Sequence, residues 1–171
     1  MDAIVAVYSG WGIGDGGTQP VVLKADRRHF RDLTEGAAVI VGRKTLEDFP
    51  GGKPLRNRHN IVVTRSRAEI ENALVVHSTE EALATVAQFE KCFVIGGASI
   101  YEQFFPFLER IYITKIGCCP DSSRFFPNLD ETEGWQCTEE GPLLEEDGIS
   151  CRFCTYERCG SAERSEGEQP C

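Results

Sequence analysis

Residues 92–101, Cys-Phe-Val-Ile-Gly-Gly-Ala-Ser-Ile-Tyr, constrain the fold of this chain more than any other stretch. A short apolar run ends in two adjacent glycines. Ile100, Phe104 and Leu108 then recur at helical spacing, with Pro106 interrupting the pattern. The pattern predicts a buried strand, a tight turn and a helix N-terminus. Paired glycines let backbone approach a ligand with no Cβ in the way. The free N–H groups of the following helix favour an anion, above all a phosphate. A plain strand-to-helix turn would read the same, because Gly-Gly after a strand is a weak signal alone. The rest of the chain decides between the two.

Residues 3–8 (Ala-Ile-Val-Ala-Val-Tyr) are continuously apolar, as in a strand buried on both faces of a largely parallel sheet. Residues 9–20 hold five glycines and end at Pro20, predicting a long, mobile loop. A helix is expected over 23–35, ending at Gly36. Its apolar stripe, Leu23, Phe30 and Leu33, also contains Asp26. Such a carboxylate is either buried with partners, where its pKa rises, or partly exposed near the helix start. Residues 37–41 form a second all-apolar run that enters Gly42-Arg43-Lys44-Thr45 and a short helix to about Asp48. Cations at a helix start oppose the dipole, a conflict that a bound anion would remove.

Further strands are expected at 60–64, with Arg65-Ser66-Arg67 just beyond, at 73–76, at 110–116, and as a closing antiparallel pair at 135–139 and 149–156. Ser78-Thr79-Glu80-Glu81 reads as a capping box opening a helix to about Phe89. Residues 117–134 read as loop, and 159–171 as a disordered acidic tail after a domain spanning 1–158. Strands alternating with helices predict an α/β sheet with right-handed crossovers, which binds ligands beyond the C-terminal strand edge. Both glycine junctions and the Arg-Ser-Arg turn fall at that edge, as a long phosphorylated cofactor would require. Gly-x-Gly-x-x-Gly after the first strand is absent, which excludes an ordinary Rossmann domain.

The 171 residues suit one domain, and no run approaches the roughly 18 apolar residues of a membrane span. The net charge of -9 resides entirely in residues 130–171, which argues against nucleic acid or anionic membrane as partners. Nothing in the sequence reads as an export signal, so the expected compartment is the cytoplasm and the eight cysteines are expected as free thiols. Cys151 and Cys154 have zinc-ligand spacing, but no second pair follows. They also sit in a β-like run, where positions three apart face opposite sides, so no metal is expected.

Over about residues 3–157 the chain resembles the dihydrofolate reductase family. The matching pieces, in the family's order, are Ile4-Val5-Ala6-Val7, Gly12-Ile13-Gly14, Leu23 with Asp26 and Phe30, and Val41-Gly42-Arg43-Lys44-Thr45. They continue with Phe49-Pro50, Pro54-Leu55, Arg58-His59-Asn60, Val94-Ile95-Gly96-Gly97 with Tyr101 and Gln103, Tyr112-Ile113-Thr114, and Phe126-Pro127. No single motif is decisive, but together, in register over one domain, they are specific. The resemblance implies a mostly parallel sheet of about eight strands with C-terminal antiparallel strands, flanked by four helices. It also implies NADPH-dependent reduction of 7,8-dihydrofolate to tetrahydrofolate, a step that supplies one-carbon metabolism and is an antifolate target. A monomer is the default.

Carried over residue by residue, Asp26 would hold the pterin ring, with Thr114 bonding the same carboxylate. Ile4, Val5, Val21, Phe30, Leu55 and Ile95 would line the substrate pocket. Arg58 would bind the glutamate-tail carboxylate through its bidentate fork. On the cofactor side, Ala6, Ile13, Gly14 and Tyr101 would surround the nicotinamide. Arg43, Lys44 and Thr45, with Gly96, Gly97, Ala98 and Ser99, would hold the pyrophosphate, Gly96-Gly97 carrying the family's cis peptide, and Gly42, Ile95 and Ile100 would complete the cofactor site. Arg43, Thr64 and Arg65 would surround the 2′-phosphate. The implied chemistry is hydride transfer from nicotinamide C4 to pterin C6, with a proton reaching N5 from water.

Two departures stand out. Most of the family has Pro-Trp where this chain has Pro20-Val21, and Trp11 does not align with that tryptophan. Many members also carry Gly-Asp-Thr where Ser122-Ser123-Arg124 stands, with Asp121 out of register. Two other readings compete: a same-fold NADPH reductase of a ribosylaminopyrimidine in riboflavin synthesis, and a non-catalytic folate- or NADPH-binding module. Asp26 and Arg58 weigh against the first, and turnover of dihydrofolate separates the second.

Overall fold

The computed structural model describes residues 1–15, 19–67 and 69–160. The expected tail therefore lies almost wholly outside the described residues, as does part of the Gly-rich loop. In chain order the elements are β1 (Asp2–Tyr8), β2 (Gly12–Gly14), α1 (Lys24–Thr34), β3 (Ala38–Gly42), α2 (Arg43–Glu47), β4 (His59–Val63), β5 (Ala73–Val76), α3 (Thr79–Val86), β6 (Cys92–Gly96) and α4 (Ala98–Phe104). They are followed by β7 (Arg110–Ile116), β8 (Arg124–Phe125), β9 (Trp135–Glu140), β10 (Leu144–Glu146) and β11 (Ile149–Arg158).

The main sheet runs β10-β11-β7-β1-β6-β3-β4-β5, with β9 also on β11. The six strands from β7 to β5 are mutually parallel. The C-terminal strands β9, β10 and β11 are antiparallel additions. β9 and β10 occupy successive stretches of one edge of β11, so nine strands fill eight positions. The parallel strands are central because their sequences are apolar on both faces: Ala38, Val39, Ile40 and Val41 are each 0% exposed.

Alternation along each strand divides the core. Val5, Val7, Ile40, Val94, Ile113 and Tyr156 pack against α3 and α4, through Ala82, Val86, Ile100, Tyr101 and Phe104. Ile4, Val39, Val41, Phe93 and Ile95 pack on the other side with Leu46 of α2 and with Phe30 and Leu33 of α1. Each fully buried aliphatic side chain stabilises the fold by about 1.5–3 kcal/mol relative to exposure. Beside that second cluster lies a smaller one of Ala6, Tyr8, Leu23, Ile116 and Cys151.

The boundaries agree with the sequence pattern to within about two residues except at α3, in the Gly-rich and 117–134 loops and at β10, a third C-terminal strand where only an antiparallel pair is expected. The 117–134 loop contains β8, which pairs antiparallel with β2 inside the supposedly structureless Gly-rich loop. Two- and three-residue strands carry no readable periodicity. The helix opened by Ser78 ends at Val86, short of Phe89, and the Ser78 hydroxyl accepts from Glu81 N–H at 3.1 Å. The Glu81 carboxylate reaches back to the His77 N–H at 2.7 Å, one residue before the expected partner. Pro106 falls in a short 3₁₀ turn, Phe105–Phe107, that follows α4.

Candidate active site

The candidate site lies at the C-terminal ends of β1, β3, β6 and β7, on the face covered by α1 and α2. One wall is α1. Its N-cap residue Leu23 supplies no side-chain acceptor. The Glu146 carboxylate from β10 does so instead, accepting from Lys24 N–H at 2.8 Å and Ala25 N–H at 3.1 Å. These backbone donors hold the Glu146 carboxyl below its ordinary range. The clamp fixes the first turn, which carries Asp26.

Asp26 projects into the apolar pocket toward Thr114 of β7. Burial pushes its carboxyl above the ordinary carboxylate range. The Thr114 hydroxyl, then His29 and Arg27, pull it partly back. Ala6 and Thr114 are partners in the β1–β7 ladder, which puts both beside this carboxylate. Thr114 is 0% exposed, yet its Oγ1 has no partner at hydrogen-bond geometry. Its influence on Asp26 is therefore that of a facing dipole. A buried hydroxyl left in this way is costly unless a ligand completes it.

Phe30, Leu55, Ile4 and Ile95 share one apolar cluster and supply the pocket's surface. Val5 belongs to the opposite-face cluster, so only its backbone can serve the cleft. Arg58 lies at the far end of α1. Its Nε is 3.2 Å from Thr34 Oγ1, and its NH2 is 3.1 Å from the same oxygen and 3.0 Å from the Arg31 carbonyl. A third donor reaches the Arg56 carbonyl at 2.8 Å. The guanidinium is thereby set in one orientation at the rim.

The second half of the cleft is backbone. In the β3–β6 ladder Val41 pairs with Gly96, so the two glycine junctions are neighbours. A Cβ on Gly97 would lie 2.8 Å from Thr45 Oγ1, and one on Gly42 would lie 3.0 Å from Ile100 Cγ1. Gly96 has φ +109° and the Gly96–Gly97 peptide is cis. Tyr101 closes over Gly96 and donates to the Ile4 carbonyl at 2.8 Å. Neither α2 nor α4 has a side-chain cap, so the first N–H groups of Arg43–Lys44 and Ala98–Ser99 face the cradle.

Lys44 and Arg65 are exposed, while Arg43 is paired with Glu47 at 2.9 Å within α2. The dipole conflict expected of Arg43 is thus eased inside its own helix, and the guanidinium can still turn to an anion from this exposed pair. Thr64 lies just past β4, its Oγ1 accepting from Ser66 N–H at 3.1 Å. Gly14 and Ile13 sit on β2, Ile13 against the opposite-face cluster with Tyr101.

Trp11 does not stand in for the missing tryptophan. It has φ +64° and turns toward the other face, edge-on to Tyr156 with centroids 6.1 Å apart and with the Lys115 ammonium 5.2 Å from its ring. The Gly-rich loop is still tied to the β8 segment. The Ser123 hydroxyl donates to the Asp15 carboxylate, and Phe126 N–H donates to the Trp11 carbonyl at 2.9 Å. Compared with the family pattern, carboxylate and partner have exchanged loops. Cys151 joins the cluster beside Ala6, while Cys154 joins the opposite one, as their spacing requires.

Three participants escape sequence reasoning. His29 stacks on Phe153 at 4.1 Å, one turn after Asp26, and its i+3 spacing was the available signal. Glu146 and Tyr8 act across the chain and left none.

Two uncapped helix starts beside paired glycine junctions suit a phosphorylated ligand, and the largely buried carboxylate suits a small ring with N–H donors. Similar proteins give the class, a reductase that uses NADP. The family model of dihydrofolate reductase matches residues 1–158. The dihydrofolate reductase of Bacillus subtilis is 38% identical over 154 residues, covering 88% of this chain and 90% of that protein. That of Haemophilus influenzae is 36% identical over 148 residues, 85% of this chain and 91% of its own. A solved structure of dihydrofolate reductase from Enterococcus faecalis, complexed with NADP(H) and RAB-propyl, superposes with a TM-score of 0.83 at 31% identity, covering 92% of this chain and 95% of that one. The chain belongs to the dihydrofolate reductase family.

Proposed function

We propose that this cleft reduces 7,8-dihydrofolate to 5,6,7,8-tetrahydrofolate with NADPH, Asp26 being the group that holds the pterin. The chain is an NADP-dependent oxidoreductase of this family. The observation that carries the residue assignment is Asp26 itself, a largely buried carboxylate whose neighbour is the buried Thr114 hydroxyl. A ring offering an N–H and an adjacent amino group would pair with both carboxylate oxygens and keep the anion satisfied. Phe30, Leu55, Ile4, Ile95 and Val21 would enclose the ring, and Arg58 would take the tail carboxylate.

The fit to NADPH rests on the glycine cradle. A side chain at residue 97 would collide with Thr45 Oγ1 at 2.8 Å, so bare backbone lets the two glycine junctions close up and brings their N–H groups together for a pyrophosphate. The backbone of 96–99 and 43–45 would bind it, and Arg43 and Arg65 would neutralise the 2′-phosphate with the Thr64 hydroxyl beside them. NADPH supplies the hydride when bound. The chain's own part is to orient both partners and exclude bulk water. The proton that N5 requires is assigned to water entering beside the Gly-rich loop. Asp26 binds the ring and does not pass on its own proton.

Residues 1–158 are assigned to one catalytic domain, the stretch matched by the family. The chain binds folate substrates and antifolates. Among the described residues no helix is long and apolar enough to cross a membrane and seven cysteines are free thiols, which suits a reducing compartment such as the cytoplasm; a monomer is part of the proposal. The test is the decay of NADPH absorbance on adding dihydrofolate, with Asp26→Asn alongside. Decay in the wild type and its loss in the variant is the expected result. NADPH binding without decay would favour the ribosylaminopyrimidine reductase or the binding module.

A further inference from the structure

Tyr8 and Val21 bracket the Gly-rich loop, one ending β1 and the other leading into α1. Tyr8 is only 3% exposed. Its hydroxyl donates to the Val21 carbonyl at 3.0 Å and accepts from the Val21 N–H at 3.1 Å. A hydroxyl has one proton and two lone pairs, so a single phenol satisfies both backbone groups of one residue. Residue 21 lies in no helix or strand that could do this instead.

The clasp sits beside the site. Alternation along β1 puts Tyr8 on the same face as Ile4 and Ala6. Its ring packs with Ala6, Leu23, Ile116 and Cys151, and Val21 covers the same cluster. Two residues beyond Val21, Leu23 begins the turn that holds Asp26. Valine is small and carries no side-chain donor. Its own side chain therefore does little to fix the backbone there, and the Tyr8 hydroxyl fixes it from beneath.

We propose that Tyr8 is a positioning residue for the pterin pocket: by clasping the Val21 backbone it sets the wall of the pocket and the entry into α1. The proposal rests on the dihydrofolate reductase reading. It makes Tyr8 and Val21 a matched pair, with the backbone tethered where the side chain is small.

The test is Tyr8→Phe, which removes only the hydroxyl, assayed beside the wild type. The expected result is a rise of about tenfold in KM for dihydrofolate, about 1.4 kcal/mol. The kcat and the Kd for NADPH should change clearly less than KM, since the glycine junctions lie away from Tyr8 and the retained Phe ring keeps the packing on Ala6. A role in stability alone would lower Tm and leave KM unmoved, and that outcome overturns the proposal. If Tyr8→Phe does not fold, amide exchange in the wild type decides. A Val21 N–H protected by at least about 100-fold supports the clasp, and exchange at the unstructured rate overturns it. A wild type that binds NADPH but does not reduce dihydrofolate removes the functional reading and this proposal together. Wild-type turnover with an unchanged Tyr8→Phe KM removes this proposal alone.

Discussion

The two halves of the cleft are made of different material. The half proposed for the substrate is built of side chains: Asp26, Phe30, Leu55, Arg58 and Thr114, from α1, the α2–β4 connection and β7. The half proposed for the cofactor is largely backbone, two glycine junctions held side by side by the β3–β6 ladder. A side-chain site recognises through functional groups, so one changed atom alters it. A backbone site recognises through shape and N–H dipoles, so what alters it is an added atom.

Asp26→Asn gives the largest expected effect. At neutral pH kcat/KM for dihydrofolate should fall by about 10²-fold or more, while NADPH affinity is unchanged. An equal loss in both would dissolve the distinction between the halves. The same variant has a stability consequence of opposite sign. Because burial raises the Asp26 carboxyl in the folded chain, the folded state holds its proton where the unfolded state has lost it. That difference lowers stability as pH climbs through the interval between the two pKa values, and the cost persists at neutral pH. Apo Asp26→Asn should therefore melt higher than wild type at pH 7. The gap should close below the ordinary carboxylate range, as calorimetry against pH would show.

Gly97→Ala is the mirror experiment. The new Cβ would meet Thr45 Oγ1 at 2.8 Å, and overpacking of this kind costs about 1–3 kcal/mol. NADPH should bind about 10-fold more weakly by fluorescence titration, with folate affinity kept. Pairing it with Thr45→Ala sharpens the test, since relief of the contact should recover part of the loss.

Arg58→Lys comes next. It keeps the charge but loses the fork that Thr34 and the Arg31 carbonyl hold in place. KM for dihydrofolate should rise by about tenfold, whereas a substrate lacking the glutamate tail should show no change. The smallest effect is expected from Glu146→Gln, which weakens the clamp on Lys24 and Ala25. Thermal melting should drop slightly at neutral pH. The difference should vanish in acid, where the wild-type carboxyl, held low when folded, is finally protonated.

These differences explain what the chain disclosed in one dimension. The parallel strands were legible because both faces are buried, leaving uninterrupted Val and Ile runs. The glycine junctions were legible as turns after apolar runs, and only their recurrence at one sheet edge, beside the Arg-Ser-Arg turn, pointed to a ligand. Asp26 was legible as a carboxylate out of place on an apolar stripe. The β2–β8 pair was not, since strands of three and two residues are too short for a period to emerge. Nor was the side of the sheet that Trp11 would join, because its positive φ reverses the direction a strand pattern would predict.

The amino-acid order thus determined the α/β sheet, the position of the glycine junctions and the presence of a carboxylate facing the core. Each is a property of a residue and its near neighbours, set by side-chain period and backbone freedom. Only the tertiary structure decided that Glu146 caps a helix 121 residues away, that Tyr8 clasps Val21 across the Gly-rich loop, and that Gly97 and Thr45 meet. Those contacts satisfy hydrogen-bonding groups or fill space between segments distant in sequence. They are set by how the sheet brings its strand ends together, which no local pattern encodes.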